Sequence, residues 1–319
     1  MARPRDPEAL VEALRGGDRR ALARALSLVE QGGDDARAVG RLAWPHGGGA
    51  YTVGITGAPG AGKSTLTSAV IGVLRGRDVP VSVLAIDPSS PFSGGAILGD
   101  RVRMQDHALD PGVFIRSMAT RGHLGGLALA TPQAIRVLDA AGAPWVLLET
   151  VGVGQVEVEV AGAADTTIVV VNPGWGDAVQ ANKAGLLEIA DVFVINKADR
   201  DGLNETRRDL ETMLDMTDLP HEAWRPPIVA TVAAKQEGVE ELWQAVADHR
   251  AHAESSGLLE RRRRDRLTDE IRMIVARTLE REAYDRTTTP GFEQLRDEVV
   301  ARRLDPYAAA DQILGEVRP

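Results

Sequence analysis

The segment from Gly57 to Ser64 has the composition and spacing of a phosphate-binding loop. Its sequence, Gly57-Ala58-Pro59-Gly60-Ala61-Gly62-Lys63-Ser64, matches the pattern G-x-x-x-x-G-K-S, and Thr65 continues into a helical stretch. Glycines let such a loop curl until its backbone N–H groups face one anion, and the helix N-terminus adds a positive dipole end. We therefore expect this segment to bind a nucleotide, with Lys63 at the β- and γ-phosphates and the Ser64 hydroxyl on Mg²⁺.

Two further segments are candidates for recognising the base. Asn196-Lys197-Ala198-Asp199 follows a predicted strand, and a carboxylate such as Asp199 accepts hydrogen bonds from guanine N1–H and the exocyclic amine. Adenine lacks that donor pair and would leave the acid unpaired. We expect Asn196 to contact the ring and the Lys197 stem to cover the base. In Ala233-Ala234-Lys235, the N–H of Ala234 is the candidate donor to guanine O6. The sequence thus predicts GTP and GDP as ligands.

Acidic residues near the ends of predicted strands are candidate metal ligands. Glu149 ends an apolar run and precedes Gly152, which is the Walker B and switch II pattern with Glu in place of the usual Asp. Its carboxylate suits Mg²⁺, directly or through water. Asp87 and Asp100 bound a segment rich in Gly, Ser and Pro, a composition typical of a mobile loop, and both are candidates for the surroundings of the metal. Lys63, Glu149 and Asp100 are the candidate catalytic residues.

Short apolar runs separated by helical stretches must position these side chains. Continuous apolar strands of this kind indicate a parallel sheet covered on both faces, and ligands bind outside the carboxyl ends of such strands. The predicted fold is therefore an α/β P-loop NTPase with helical N- and C-terminal extensions. The predicted strands are Thr52–Thr56, Val81–Ile86, Val146–Leu148, Thr167–Val171 and Val192–Ile195, with a further one near Ile228–Ala230.

The pattern divides the chain into three parts: a helical extension over 1–48, a P-loop GTPase domain over 49–255 and a helical dimerisation arm over 256–319. The arm carries an apolar stripe at Leu267, Ile271, Ile274 and Leu279, which predicts a homodimer because such a stripe needs a partner. Pro290-Gly291 should end its long helix, with shorter helices at Phe292–Arg302 and Pro306–Leu314. The arginines at 261–264 and 266 are interpreted as a solvated face paired with acids of the same helix: Glu260, Asp265, Asp269 and Glu270.

Composition narrows the class of protein. A net charge of −9 and an aromatic content of 4% argue against nucleic acid as a partner. The absence of cysteine excludes disulfides and thiolate metal sites and fits a reducing compartment. The N-terminus has no apolar core of a signal peptide, and no apolar run is long enough to span a bilayer. We expect a cytoplasmic protein that contacts neither nucleic acid nor membrane.

The chain resembles the methylmalonyl-CoA-mutase-associated GTPases, the group named MeaB or ArgK in bacteria and MMAA in animals. Nearly the whole chain takes part in the resemblance, and the segments at Asp87 and Glu149 are more specific than the phosphate loop. The residues that carry it are Gly54–Thr65, Asp87–Pro91, Gly94-Gly95, Ile97–Asp100, Ala119–Gly122, Leu124–Gly126, Glu149–Gln155, Pro173-Gly174, Gly176-Asp177 and Asn196–Asp199.

The resemblance implies a GTPase that chaperones an adenosylcobalamin-dependent acyl-CoA mutase, most simply methylmalonyl-CoA mutase. Such proteins gate cofactor loading and protect or reactivate the mutase, and an adenosyltransferase is a further candidate partner. The family's Mg²⁺ ligands carry over as Ser64, Asp87, Asp100 and Glu149, and a loop that senses the partner would fall at about Asn172–Lys183. Ala233 departs from the family, which more often has Ser there.

Three other functions stay open at this point. A metallochaperone-type GTPase would need a metal cluster, yet there is no cysteine, and His249 and His252 are interpreted as a solvated pair. A P-loop kinase would need a carboxylate base for an acceptor hydroxyl, which the sequence does not identify. A nucleotide-binding module without hydrolysis is the third.

Overall fold

The computed structural model describes residues 6–88, 107, 109–120, 126–150, 162–174, 188–216, 223–287 and 290–315. Within these ranges the side chains of 87–88, 119–120, 126–129 and 290 are not described. The chain forms two compact units, Met1–Arg263 and Arg264–Pro319. Helices 7–43 therefore belong to the same unit as the sheet, and the first unit extends beyond the boundary predicted at 255.

Seven parallel strands form one sheet in the first unit, in the order β3-β2-β4-β1-β5-β6-β7. The phosphate loop leaves the central strand, β1, and all carboxyl ends meet at one edge. The parallel α/β sheet predicted from the apolar runs is confirmed. The strands are β1 Tyr51–Gly57, β2 Val81–Pro88, β3 Val113–Thr120, β4 Trp145–Thr150, β5 Thr166–Val171, β6 Val192–Asn196 and β7 Ile228–Thr231.

One strand was not predicted. Strand β3, Val113-Phe-Ile-Arg-Ser-Met-Ala-Thr120, places Arg116 and Ser117 in its middle, and this breaks the apolar run expected of a buried parallel strand. It lies at the edge of the sheet, where a polar side chain can reach a partner: Arg116 forms a 2.7 Å ion pair with Glu30. An edge strand with polar residues in its middle therefore escapes a search that looks only for continuous apolar runs.

Helices cover both faces of the sheet. On one face, α4 and α7 bury Leu66, Val70 and Trp243 against β1 and its neighbours. On the other face, α1–α3 and α5 pack against β2 and β4, and α6 covers β5 and β6. The helices of this unit are α1 Pro7–Arg15, α2 Arg19–Gln31, α3 Gly33–Ala43, α4 Lys63–Gly76, α5 Gly126–Ala140, α6 Leu203–Asp215 and α7 Val239–Ser255, with short 3₁₀ turns at Trp44–His46 and Ala233–Lys235.

The second unit is helical. Helix α8 spans Leu258–Arg286 and begins in the first unit; α9, Pro290–Val300, and α10, Pro306–Gly315, follow. These bounds match the predicted break at Pro290-Gly291 and the two shorter helices. Among the helices that the structure describes, none is both long and apolar enough to cross a membrane.

A charged network lies at the amino edge of the sheet, opposite the phosphate loop. Asp165 and Asp191, which precede β5 and β6, are both almost fully buried. Asp191 accepts two hydrogen bonds from Arg262, at 2.9 and 3.0 Å, and one from the Thr167 N–H at 2.8 Å. Asp165 accepts two from Arg263, at 2.6 and 3.1 Å. The start of α8 is thereby held to the ends of two strands.

This network corrects two sequence interpretations. Arg262 and Arg263 do not belong to a solvated face, because their partners are these two aspartates rather than acids of their own helix. His249 is not a solvated histidine either: it is fully buried, with Nδ1 2.7 Å from Thr166 Oγ1 and Nε2 3.2 Å from Asp191. Burial raises the pKa of Asp191, but His249 and Arg262 lower it by more, so the net direction is downward.

Replacing Arg262 with Met should destabilise the chain in a pH-dependent way. We expect a loss of about 1–2 kcal/mol at neutral pH, below the ~3–5 kcal/mol of a fully buried pair, because the Arg262 side chain is 37% exposed. The pKa of Asp191 lies below its unfolded value, so its stabilisation is complete above the unfolded pKa and is lost as the pH falls through the folded one. The deficit should therefore shrink toward acid pH in urea unfolding followed by tryptophan fluorescence. Arg261→Met, an exposed position on the same helix, is the control and should change little.

Candidate functional site

The phosphate loop turns directly from the last residue of β1. Gly57 has φ +129°, and a Cβ there would collide with the backbone of Val170 in β5. Gly62 has φ +93°, and a Cβ there would lie 2.5 Å from Asn196 Nδ2. Both positions therefore require glycine, for conformation and for space.

Helix α4 begins immediately after this loop, and its first turn has no side-chain cap. Gly62 is the N-cap and offers no side-chain acceptor, whereas α1 and α2 are capped by the carboxylates of Asp6 and Asp18. The first N–H groups of a helix have no partner within the helix. An uncapped start at the edge of a sheet is therefore suited to an anion, which the helix dipole also favours.

Lys63 and Ser64, the first residues of α4, are both buried. The Lys63 ammonium donates to the carbonyl oxygens of Gly57, at 2.6 Å, and Ala58, at 3.2 Å. The cation thus lies inside the curl of the loop, where a bound phosphate would meet it.

Glu149 lies next to the loop at the carboxyl edge. It is the penultimate residue of β4, in register with Ile55 of β1 and Ala85 of β2, and only 1% of its surface is exposed. The neighbouring Thr150 hydroxyl donates to Thr56 Oγ1 of β1 at 3.2 Å. The sheet therefore brings a buried carboxylate and the buried Ser64 hydroxyl to the same edge, and both are oxygen donors of the kind that Mg²⁺ prefers.

Asn196 connects the phosphate loop with the second candidate base loop. Its Nδ2 donates to the Ala61 carbonyl at 2.9 Å, while its Oδ1 accepts from the Thr231 hydroxyl at 3.1 Å and the Ala233 N–H at 3.2 Å. Asn196 is 2% exposed. We expected it to contact the base ring, but the structure uses both ends of its carboxamide to join two loops.

The next residues of this turn reach the surface. Lys197 has φ +59°, and its ammonium donates to the Gly60 carbonyl at 2.5 Å, so its stem crosses the phosphate loop. Asp199 Oδ2 lies 3.0 Å from Lys235 Nζ. The hydrogen bond from Lys235 lowers the pKa of Asp199, which keeps this carboxylate ionised as an acceptor.

Comparison with known proteins agrees with this arrangement. The family model of the methylmalonyl-CoA-mutase-associated GTPase MeaB matches residues 22–288. The chain belongs to the MeaB family. It is 37% identical over 269 residues to the GTPase ArgK of Escherichia coli, covering 82% of this chain and 81% of that protein. It is 52% identical over 310 residues to a protein of Pyrococcus abyssi named only as a candidate GTPase, covering 97% and 96%.

A solved structure shares the MeaB-family fold seen here. The crystal structure described as an LAO/AO transport system kinase superposes with a TM-score of 0.71 and 27% identity, over 100% of both chains. The P-loop NTPase fold predicted from the sequence is thereby confirmed.

Several predicted site residues of this MeaB-family chain lie outside the described residues. Among them are Asp100, the switch II segment with Val153 and Gln155, and most of the predicted sensing loop Asn172–Lys183. Asp87 is the penultimate residue of β2, and its side chain is not described. Their roles stay predictions.

Sequence reasoning missed two strand residues that contact the site residues and hold them in place. Thr231 is 1% exposed and donates to Asn196, and Val170 presents the backbone that Gly57 approaches. Both belong to apolar strands, and neither is part of a recognisable motif. The sequence signal that could have identified Thr231 is its place in the chain, because it ends the strand that precedes the second base loop.

Proposed function

We propose that this MeaB-family protein binds and hydrolyses GTP and acts as a chaperone of an adenosylcobalamin-dependent acyl-CoA mutase, gating cofactor loading and protecting or reactivating the enzyme. The observation that carries the GTP assignment is the bridge through Asn196, which ties the phosphate loop to the 3₁₀ turn Ala233–Lys235. Family membership supports the mutase as partner, with methylmalonyl-CoA mutase as the first choice and an adenosyltransferase as a further one. A relative of Mus musculus, 34% identical over 271 residues, is named a methylmalonic aciduria type A homolog.

Nucleotide binding divides between the two loops. The N–H groups of Gly57–Thr65 and the Lys63 ammonium hold the phosphates, because the first turn of α4 is uncapped and the cation already lies within the loop. Asp199 accepts hydrogen bonds from guanine N1–H and from the exocyclic amine. The Lys197 stem covers the base, and the Ala234 N–H donates to guanine O6. An adenine nucleotide is disfavoured, because it offers Asp199 no such pair of donors.

Mg²⁺ fits the donors at this edge. The Ser64 hydroxyl and the Glu149 carboxylate would hold it, and Asp87 and Asp100 complete the proposed set. The ion supplies charge neutralisation at the β- and γ-phosphates when bound. The buried His249 belongs to the charged network at the amino edge, where its Nδ1 lies 2.7 Å from Thr166 Oγ1. Among the residues that the structure describes, no three His, Asp or Glu side chains group as metal ligands.

Hydrolysis requires a positioned water and stabilised charge on the transferring phosphoryl group. Lys63 supplies charge, but the position after the switch II glycine is Val153, whose side chain cannot orient water. Two sequence candidates remain for completing the site, both outside the described residues: Gln155 to orient water and Arg121 as an arginine finger. We propose that the mutase orders these segments on docking, so that turnover is slow without it. The cysteine-free sequence supports a cytoplasmic setting for this cycle.

Asp199→Asn should change the base preference from guanine to xanthine. The amide presents a donor where xanthine has a carbonyl and guanine an amine, so we expect the GDP-to-XDP affinity ratio to fall at least about tenfold. Isothermal titration with GDP and XDP measures it. A mutant that keeps the wild-type ratio would show that Asp199 does not recognise the base.

Single-turnover hydrolysis should be slow alone and faster with the mutase. A missing water-positioning residue costs several orders of magnitude in phosphoryl transfer, since that reaction depends on positioning and charge. Lys63→Ala is the control, because it removes the phosphate-facing cation and should abolish tight GTP binding. An intrinsic rate on the order of 1 per second, or a rate that saturating mutase leaves unchanged, would contradict the proposal. Transfer of phosphate to an acceptor instead of water would identify a kinase.

The chain should form a homodimer through α8. Leu267, Ile271 and Leu279 are 38–62% exposed, which is a large apolar surface on an otherwise charged helix. Light scattering at micromolar concentration should give twice the monomer mass, and Ile271→Asp should give a monomer. Ala276→Asp, an exposed position on the opposite face of the helix, should stay dimeric. A monomeric wild-type chain refutes the dimer.

A further inference from the structure

The two candidate base loops are held together at three levels. Their backbones join where the Ala198 N–H donates to the Thr231 carbonyl at 3.0 Å. The buried Asn196 carboxamide accepts from the Ala233 N–H. At the surface, the side chain of Lys235 reaches across to Asp199, with 3.0 Å between Nζ and Oδ2. The first two contacts fix the loops, whereas the third acts on the carboxylate itself.

The ion pair is placed where it can orient an acceptor. Asp199 and Lys235 are 43% and 56% exposed, so the two side chains meet at the surface. In the part of the chain that the structure describes, no other side chain is seen to hydrogen-bond the Asp199 carboxylate. Lys235 itself starts from a constrained backbone, because it ends a 3₁₀ turn and is followed by Gln236 in the left-handed conformation, φ +60°.

We propose that Lys235 is a positioning residue for base specificity, which holds the Asp199 carboxylate oriented toward the guanine edge. This inference rests on the proposed recognition of guanine by Asp199. A carboxylate offers about four acceptor sites on two oxygens, so one bond to Lys235 leaves enough sites for N1–H and the exocyclic amine. Without Lys235 the Asp199 side chain rotates among its rotamers and must be ordered when the nucleotide binds.

The pair also sets the pH range of recognition. The hydrogen bond from Lys235 lowers the pKa of Asp199, and the neighbouring charge of Arg200 contributes in the same direction, though less. The Asp199 carboxylate accepts hydrogen bonds from guanine when it is ionised, which is the case above its pKa. Removing Lys235 raises that pKa, so the loss of affinity that occurs on acidification should begin at a higher pH.

The experiment compares GDP with inosine diphosphate, which lacks only the exocyclic amine. We expect Lys235→Met to lower the GDP-to-IDP affinity ratio about two- to fivefold, which lies within the range for an exposed ion pair. Lys235→Arg should keep the wild-type ratio, because it keeps the charge and the donors. Arg200→Met is the matched control: it removes a neighbouring positive charge that makes no hydrogen bond to Asp199 in the described residues, and the ratio should stay near wild type.

Each result bears on one assignment. A wild-type protein with no preference for GDP over IDP would overturn the recognition of guanine by Asp199 and, with it, the role of Lys235. A wild-type preference that Lys235→Met leaves intact would overturn the role of Lys235 alone. A uniform loss of both affinities, or a loss that Arg does not restore, would assign Lys235 to the loop's structure and also overturn the proposal. The second measurement is the affinity for GDP as a function of pH on the acid side. If the pH at which this affinity falls is the same in Lys235→Met as in the wild type, the ion pair does not orient Asp199.

Discussion

The nucleotide edge depends on one buried carboxamide. Asn196 is 2% exposed and joins the end of β6 to Ala61 in the phosphate loop and to Ala233 beyond β7. A buried polar group that loses its hydrogen-bond partners lowers the stability of the fold by about 1–3 kcal/mol. Replacing Asn196 would leave polar groups of Ala61, Thr231 and Ala233 without this partner. The two loops are therefore coupled through this side chain, which acts together with the backbone hydrogen bond from Ala198 to Thr231.

The same interaction constrains the sequence at a distance. Because Nδ2 of Asn196 stands so close to the Cα of Gly62, no residue with a Cβ fits there without moving the bridge. The left-handed backbone at Lys197 then turns its stem toward Gly60. Residues that look like two independent motifs thus form one structural unit, which explains why their joint occurrence is more informative than either alone.

The nucleotide edge could be predicted from sequence more completely than the opposite edge. Phosphate and base loops are local patterns at the ends of apolar strands, and the strands at β1, β4, β5 and β6 were found within one or two residues. The charged network was missed because its partners are far apart: Arg262 is 71 residues from Asp191, and Arg263 is 98 from Asp165. The interpretation from charge patterning compared each arginine only with acids near it in the same helix. It therefore placed these arginines on a solvated face. His249 was missed for the same reason, since its partner Thr166 is 83 residues away in the chain.

The two edges use charge in different ways, and the difference is clearest between the amino-edge network and the phosphate loop. At the amino edge the arginines of α8 meet carboxylates, which are strong partners that hold a cation permanently. At the carboxyl edge Lys63 and Lys197 donate to neutral carbonyl oxygens of the phosphate loop. A neutral acceptor releases a cation more readily than an anion does, so an incoming phosphate competes well for the contact that Lys197 makes with Gly60. Strand β6 runs between the two edges: Asp191 of the charged network precedes it, and Asn196 of the nucleotide edge ends it.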